Sequence, residues 1–517
     1  MNTANFLSIP ASMFPEQEIV VSDERRFTYA GLLDRVRRLS SALRARGVGR
    51  GTKVAILATN SHRYLECFYA TASAGATFVP LNYRAKLDEL EYMIGRAAPR
   101  VLFVAARYAP LLDELGSRLP PGMTRVALDD DGAADARYEE LLASGQEDVE
   151  DVEIEEDDTC ILMYTSGTTS LPKGVMLTFG DFTTYVVGTV EMADGSPRGT
   201  TLLCVPLYHI AGATSIMTSL WAGRRVVVLP QFDAGEWLGA VAGERVTHAF
   251  VVPTMLKKIL DHADFSTTDL TSLENLSYGG APMPFPVVRR AVESFPPSCG
   301  FVNAFGQTET TSTLTVLGPE DHRLCGDAAA DEERLRRLRS IGKPLPDVEI
   351  KVVDEEGGEL GPNETGEILV RTPRVMKGYA GDVQGGAKLE DDGFLHTRDL
   401  GYVDPDGYVF LVGRKDDMII RGGENIAPAE VESVLQTHPC VDEVAVLGLP
   451  SEEWGQIVAA AVVLKPGTSA SPEDLVGHCR TRLASFKKPE VVRVLDELPR
   501  NPLGKVLRNE LRARFSE

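Results

Sequence analysis

Four segments combine residue types and spacings that can do chemistry on phosphate and on a nucleoside. In CILMYTSGTTSLPKGVMLT, Cys160 to Thr178, an apolar run enters a loop of hydroxyl and glycine residues and closes on Lys173. Small residues such as Thr165, Ser166, Gly167, Thr168 and Thr169 let backbone N–H groups turn toward an anion, their hydroxyls add donors, and Lys173 adds charge. No glycine immediately precedes Lys173 in a GxxxxGK[ST] pattern, so this is not a Walker A loop. In NAFGQTETTST, Asn303 to Thr313, Phe305 can stack a base, while Thr308 and Glu309 can bind Mg2+ on triphosphate oxygens. In the segment from His396 to Glu432, Asp399 can accept hydrogen bonds from both ribose hydroxyls and Arg414 can donate to ribose or phosphate. PRNPLGKVLR, Pro499 to Arg508, presents Lys505 on a Pro/Gly turn. Taken singly each has a plainer reading: a Ser/Thr-rich surface loop, a solvated glutamate, a turn aspartate with a surface arginine, and a solubilising lysine.

The elements that must hold these segments alternate. TYAGLLDRVRRLSSALRARG has apolar residues at helical spacing and a glycine at its end, KVAILAT is a short buried strand, and RYLECFYATASAGA is a further helix. ATFVPLN, RVLFVA, RRVVVLP, VTHAFVVP and LENLSYGG continue the strand rhythm, which implies parallel sheets with helices packed on them. Near Ile341 the texture becomes β-rich with Gly, Pro and Asp turns, and after Asp416 a compact α+β tail follows. The expected architecture is α/β: a large N-terminal domain over 1–415, of parallel-rich sheets flanked by helices plus a β-rich subdomain, and a small mobile C-terminal α+β domain over 416–517. EDVEDVEIEEDD (147–158) reads as a solvated acidic linker.

The chain has 517 residues, 43% of them apolar and 25% charged, the composition of a folded protein of at least two domains. A formal charge of −22 disfavours nucleic acid as a partner but not ATP or coenzyme A, whose anion sites are built locally. The seven cysteines are scattered without a CxxC pair, which reads as reduced thiols. No apolar run is long enough for a bilayer, the start lacks signal-peptide regions, and the end is neither a prenylation box nor a peroxisomal signal. Cytoplasm is the expected compartment.

Jointly and in this order, the four segments resemble the adenylate-forming superfamily of acyl-CoA synthetases, luciferases and peptide-synthetase adenylation domains, over essentially the whole chain. The texture most similar within it is that of bacterial fatty-acyl-CoA synthetases. The resemblance implies that the 165–173 loop takes phosphate and that Phe305, Gly279, Gly280 and Ala281 line the adenine pocket. Thr308 and Glu309 then handle phosphate and Mg2+, with Thr165 a second metal contact, and Asp399 and Arg414 take ribose and phosphate. Asp416 matches the hinge, Lys505 the lysine that reaches the acyl carboxylate and α-phosphate, and His209 and Gly306 the acid pocket. Gly422, Gly423, Trp454, Phe486 and Lys488 match the CoA passage. Three departures stand out: Ser170 replaces a glycine of the phosphate loop, Phe305 a more usual tyrosine, and the family's TGD is TRD here, with Arg398 beside Asp399.

The implied reaction joins a carboxylic acid to ATP as acyl-AMP with release of pyrophosphate, then passes the acyl group to CoA after the C-terminal domain swings about Asp416. The segments around His209 and Gly279 contain no obvious lysine, arginine or aspartate for a second charge, which suits an apolar, fatty acid-like substrate, with aryl acids such as benzoates the alternative. ERLRRLRS (333–340) reads as a solvated arginine face rather than a basic helix for CoA or a membrane. A stand-alone enzyme loading a carrier-protein thiol and a non-catalytic nucleotide sensor are the rival readings. A homodimer is compatible with the resemblance, and PRNPLGK fits a PxxxxGK pattern that would expose Lys505 to a lysine acetyltransferase.

Overall fold

The computed structural model describes residues 1–129, 134–147, 152–165, 172–323, 328–381, 388–501 and 504–516. They form two compact units. The first comprises Met1–Arg334, Pro344–Val348 and Thr372–Lys388, and the second Leu335–Lys343, Glu349–Arg371 and Leu389–Glu517. The boundary expected between 415 and 416 lies inside the second unit, in the turn that leads from its four-stranded sheet into its five-stranded sheet.

In the first unit, short uninterrupted apolar runs become parallel strands buried on both faces. Lys53–Leu57 pairs in parallel with Thr77–Pro80 and Val101–Val104 in an eight-stranded sheet. Helices start where a hydroxyl can accept from the first free amides: Thr28 caps Tyr29–Ala45 and Ser61 caps His62–Ser73. Thr159–Thr165 joins this sheet in parallel to Thr77–Pro80 and turns back as an antiparallel hairpin with Lys173–Thr178. Thr178 ends that hairpin and, with Asp181, forms the capping box of the next helix, so both ends of the Lys173 strand are fixed. Gly378–Tyr379 adds antiparallel to its outer side.

A second sheet of this unit runs in spatial order Arg25–Thr28, Glu18–Ser22, Arg225–Val228, Thr200–Leu203, His248–Val251, Asn275–Gly279, Gly300–Gln307 and Ser312–Leu317. Its central members are parallel and alternate with helices such as Ile210–Ala222 and Pro253–Asp261. Ligands of open α/β sheets bind beyond the carboxyl ends of the strands. Those ends carry Gly279 to Ala281 and Phe305 to Glu309.

In the second unit, Glu349–Val353, Gly366–Arg371, Leu395–Val403 and Val409–Arg414 form an antiparallel sheet whose register sets Asp399 opposite Arg414. The five-stranded sheet is centred on Gly455–Leu464, whose residues Val458 to Val462 are fully buried. One face packs with Ile419, Val431 and Leu475, the other with Leu447, Leu498 and Leu511. Among the described residues no helix is long and apolar enough to cross a membrane.

Candidate active site

The first unit brings three of the expected groups together through a residue that sequence reasoning did not single out. Lys173 opens its strand directly opposite Thr165, so the two ends of the phosphate-loop hairpin are cross-strand neighbours. Ser166, Gly167, Thr168, Thr169 and Ser170 lie outside the described residues. The Lys173 ammonium stands 5.0 Å from the centre of the Tyr379 ring. The Tyr379 hydroxyl donates to Glu309 Oε1 at 2.8 Å.

Glu309 sits in a single 3-10 turn, Thr308–Thr310, followed by two non-glycine residues in the left-handed region, Thr311 at φ 49° and Ser312 at φ 82°. Such backbone costs about 1–3 kcal/mol per residue and persists only where the surroundings hold it. Arg374 holds it. Its side chain is 1% exposed and donates to the carbonyls of Thr310 (3.0 Å), Thr311 (3.4 Å) and Thr313 (3.0 Å), and to both carboxylate oxygens of Asp347 (2.6 and 3.1 Å). Burial alone would raise the Asp347 carboxyl, but the bonds to Arg374 outweigh it and its pKa lies below the ordinary value. Arg374, Asp347 and Tyr379 had no signal in the sequence, because a buried arginine and a surface one are written identically.

The remaining residues of this half are placed as follows. Gly279 pairs with Ala304, which puts it beside Phe305 on the neighbouring strand. Packing already requires glycine at two of these positions: a Cβ on Gly279 would lie 2.1 Å from the Ala304 carbonyl oxygen, and one on Gly306 1.7 Å from that of Ser312. Phe305 faces Thr315 across a register shift at Gly306. Gly280 and Ala281 follow their strand end, partly or fully exposed. His209 precedes Ile210–Ala222, its carbonyl accepting from Gly212 and Ala213, and burial with Arg84 nearby lowers its pKa to about 3. It is therefore a neutral imidazole at physiological pH.

The second unit gathers the nucleoside and lysine candidates. Asp399 is buried, its amide bonded to Thr397 Oγ1 at 3.1 Å, and Arg414 Nε lies 3.2 Å from its Oδ1. Lys505 is seated in a turn closed by Asn501, which accepts from its amide at 2.9 Å and donates its own amide to the Lys505 carbonyl at 2.8 Å. Burial and the neighbouring Arg414 lower the Lys505 pKa, against the opposing pull of Asp417 and Asp399. Three consecutive residues between the two sheets of this unit are each ion-paired: Lys415 with Glu367, Asp416 with Arg398, and Asp417 with Arg508. Arg398 itself has φ 64°, a conformation glycine adopts freely.

Gly422 and Gly423, at φ 58° and 88°, make the two-residue turn of the hairpin Ile419–Arg421 and Glu424–Ile426, which alone accounts for both glycines. Trp454, 43% exposed, lies against Gly422, and its carbonyl accepts from the Gly422 amide. Arg421 stacks on Trp454 and donates to the Phe486 carbonyl, so these candidates form one cluster; Lys488 is half-buried two residues on from Phe486. The arginines of 333–340 stand largely in solvent, as expected, with Arg336 and Arg339 exposed and Arg334 and Arg337 half-buried, but two of them also lie on the adjoining sheet. Arg336 pairs with Asp404 at 2.9 Å over Phe410, and Arg337 lies over Tyr408, so their charge and stems are taken up by the adjoining sheet.

Two family profiles cover these halves: that of the AMP-binding enzymes matches residues 8–380, and that of the AMP-binding enzyme C-terminal domain matches 430–505. The chain belongs to the AMP-binding enzyme family. A feruloyl-CoA synthase of Amycolatopsis sp. is 37% identical to it, over 98% of this chain and 97% of that protein. An indoleacetate–CoA ligase of Aromatoleum aromaticum is 34% identical over 99% and 98%. Among solved structures, ATP-bound MatB from Rhodopseudomonas palustris aligns with a TM-score of 0.88 at 29% identity, covering 100% of this chain and 99% of that one. With these relatives this AMP-binding enzyme is an AMP-forming acid–thiol ligase of the acyl- and aryl-CoA ligase family.

The buried Arg374 clamp gives a stability prediction for this enzyme. Arg374→Met leaves three carbonyls and a carboxylate without their donor, and is expected to cost about 3 kcal/mol or more, read as a lower denaturant midpoint. Arg374→Lys, which keeps the charge but not the fork, is expected to fall between wild type and Met.

Proposed function

We propose that the enzyme activates an apolar monocarboxylic acid with ATP and transfers the acyl group to coenzyme A. The observation that carries this reading is the seat of Lys505, half-buried near the Asp399–Arg414 pair in the second unit. A cation placed there suits the charge that develops when a carboxylate attacks an α-phosphate next to a bound ribose.

In the proposed first step a carboxylate oxygen forms the bond to the α-phosphorus, and the bond to the bridging oxygen breaks, its electron pair leaving with pyrophosphate. No base is required, because the acid is ionised at neutral pH. Asp399 accepts from the ribose hydroxyls, Arg414 donates to ribose or phosphate, and Lys505 neutralises the charge shared by carboxylate and α-phosphate. Lys173 and the 165–169 hydroxyls and amides take the pyrophosphate end. Mg2+ carried in with ATP supplies further neutralisation of the leaving pyrophosphate, and Glu309 with Thr165 are the residues that would hold it. The donor set fits a cation that brings its own phosphate and water ligands: Glu309 has one carboxylate oxygen engaged by Tyr379, and the described residues contain no cluster of three or more His, Cys, Asp or Glu that could hold a metal.

In the second step the CoA sulfur, its thiol proton lost to solvent, forms the bond to the acyl carbon, and the acyl carbon–oxygen bond breaks, its electron pair leaving with AMP. The cluster of Gly422, Gly423, Trp454, Phe486 and Lys488 is assigned to CoA, with an exposed indole for the adenine and a Cβ-free turn for the pantetheine arm. Rotation at Asp416 would exchange Lys505 for this turn. Lys415 and Asp416 are tied back to one sheet and Asp417 forward to Arg508, which supports a pivot at Asp416. For the acid, the helix after His209 (IAGATSIMTSLWA) carries no charged side chain, and His209 is neutral, so an apolar group is preferred to a second carboxylate. The aryl acids named for two of the relatives rank beside fatty acids as substrates.

The deciding experiment is pyrophosphate release with a panel of aryl, aliphatic and dicarboxylic acids, with and without CoA. Thioester from an apolar monocarboxylate is the expected result; preference for a dicarboxylate, or acyl-AMP that is passed only to a carrier-protein thiol, would reject the reading. Lys505→Ala should reduce ATP–pyrophosphate exchange by at least about a hundred-fold, the scale of one preorganised charge, while thioester formation from preformed acyl-AMP persists.

The pH dependence follows from the same lysine. Its folded pKa lies below 10.5, so the catalytically required ammonium is lost as pH rises through that lowered value. The exchange reaction should therefore fall on the alkaline side before pH 10.5, and Lys505→Arg, which stays charged, should lack that limb at a lower maximum.

A further inference from the structure

We infer that Tyr379 is a positioning residue that sets the metal-binding carboxylate and the phosphate-loop lysine against each other, an inference that rests on the adenylation reading above. Its place is fixed by backbone bonds independent of its side chain. Lys377 N–H donates to the Met176 carbonyl at 2.9 Å and Ala380 N–H to the Gly174 carbonyl at 2.8 Å, which clamps Tyr379 along the strand that begins with Lys173. From the same strap, Met376 N–H donates to the Glu309 carbonyl at 2.8 Å, and Arg374 grips the far side of the Glu309 turn. Thus residues 374–380 tie together two segments that belong to different sheets.

On that frame the Tyr379 side chain does two separate things. Its hydroxyl donates to Glu309 Oε1, a charge-assisted bond that orients the carboxylate, and among the described residues no hydrogen bond engages Oε2. Its ring face holds the Lys173 ammonium at 5.0 Å, an attraction that orients the lysine without neutralising it as a carboxylate would. Hydrogen-bond partners of metal-ligating carboxylates set metal affinity by about ten- to hundred-fold. The hydroxyl therefore governs the Mg2+ requirement and the ring governs the hold of Lys173 on phosphate.

The two roles separate in two variants, Tyr379→Phe and Tyr379→Leu, each made in the full chain. Binding of ATP is measured calorimetrically with and without Mg2+, alongside thioester formation from preformed acyl-AMP and CoA. Tyr379→Phe is expected to raise the Mg2+ concentration for half-maximal tightening of ATP by about ten-fold or more, with Mg2+-free ATP affinity unchanged. Tyr379→Leu is expected to weaken Mg2+-free ATP binding as well, and neither variant should slow the thioester step. A Phe variant that overlays wild type, equal losses of Mg2+-free binding in both variants, or a matching loss in the thioester step would each overturn the inference. So would wild-type ATP binding that ignores Mg2+. If ATP and Mg2+ behave as expected but no acid is activated by the wild type, the adenylation reading fails while the assignment of Tyr379 stands.

Discussion

A protein of net charge −22 that binds a polyphosphate must keep a few cations unneutralised while its other basic groups are spent on its own carboxylates. The described arginines show the second half of that constraint. Arg35 is taken up by Glu66 and Glu139, Arg26 by Glu18 and Glu244, and Arg336 by Asp404. The first half is met by different means in each unit. Lys173 lies on an aromatic face, and no carboxylate pairs with it among the described residues. Lys505 has aspartates near it, but burial and Arg414 prevail, and the balance leaves an ammonium that gains by meeting an anion.

Holding such groups requires rigid backbone, and in the first unit that rigidity comes from a segment remote in sequence. The Thr308–Thr310 turn leaves its strand through two strained residues, and local propensity does not favour that path for threonine and serine. Arg374, more than sixty positions later, supplies five donor contacts to the carbonyls and carboxylate around it. An arginine is suited to this because its planar fork satisfies several acceptors at once with little loss of freedom per bond. The strain at the turn and the burial of a full charge beneath it are therefore one arrangement: each is tolerable because the other is present.

What was legible in the sequence follows from range. KVAILAT, RVLFVA and LENLSYGG reveal strands because burial on both faces writes a local pattern, and the candidate phosphate and ribose segments stand out because small residues and charges recur there at fixed spacing. Tyr379 and Arg374 were illegible because their roles are set by partners some seventy residues away. The solvent-facing arginines of 333–340 were legible as such, but composition does not show that Tyr408 and Phe410 lie beneath two of them. Glycines tell a mixed story. Close packing demands glycine at Gly279 and Gly306 and a tight turn demands it at Gly422 and Gly423, so their presence speaks for the scaffold before it speaks for a ligand.

Arg398 is the converse case, a bulky residue at a position whose backbone suits glycine. Its left-handed conformation costs about 1–2 kcal/mol relative to glycine. Its ion pair with Asp416 is formed by a side chain that is 58% exposed, and pairs of that kind return about 1 kcal/mol at most. The pair therefore does not make Arg398 a stabilising choice overall. What it does is local: it fastens the residue just before the passage between the two sheets of the second unit, while Lys415 is fastened to the same sheet and Asp417 to Arg508 on the other side. Two of these three pairs use a half-exposed cation, so they bias the path of the connection without locking it.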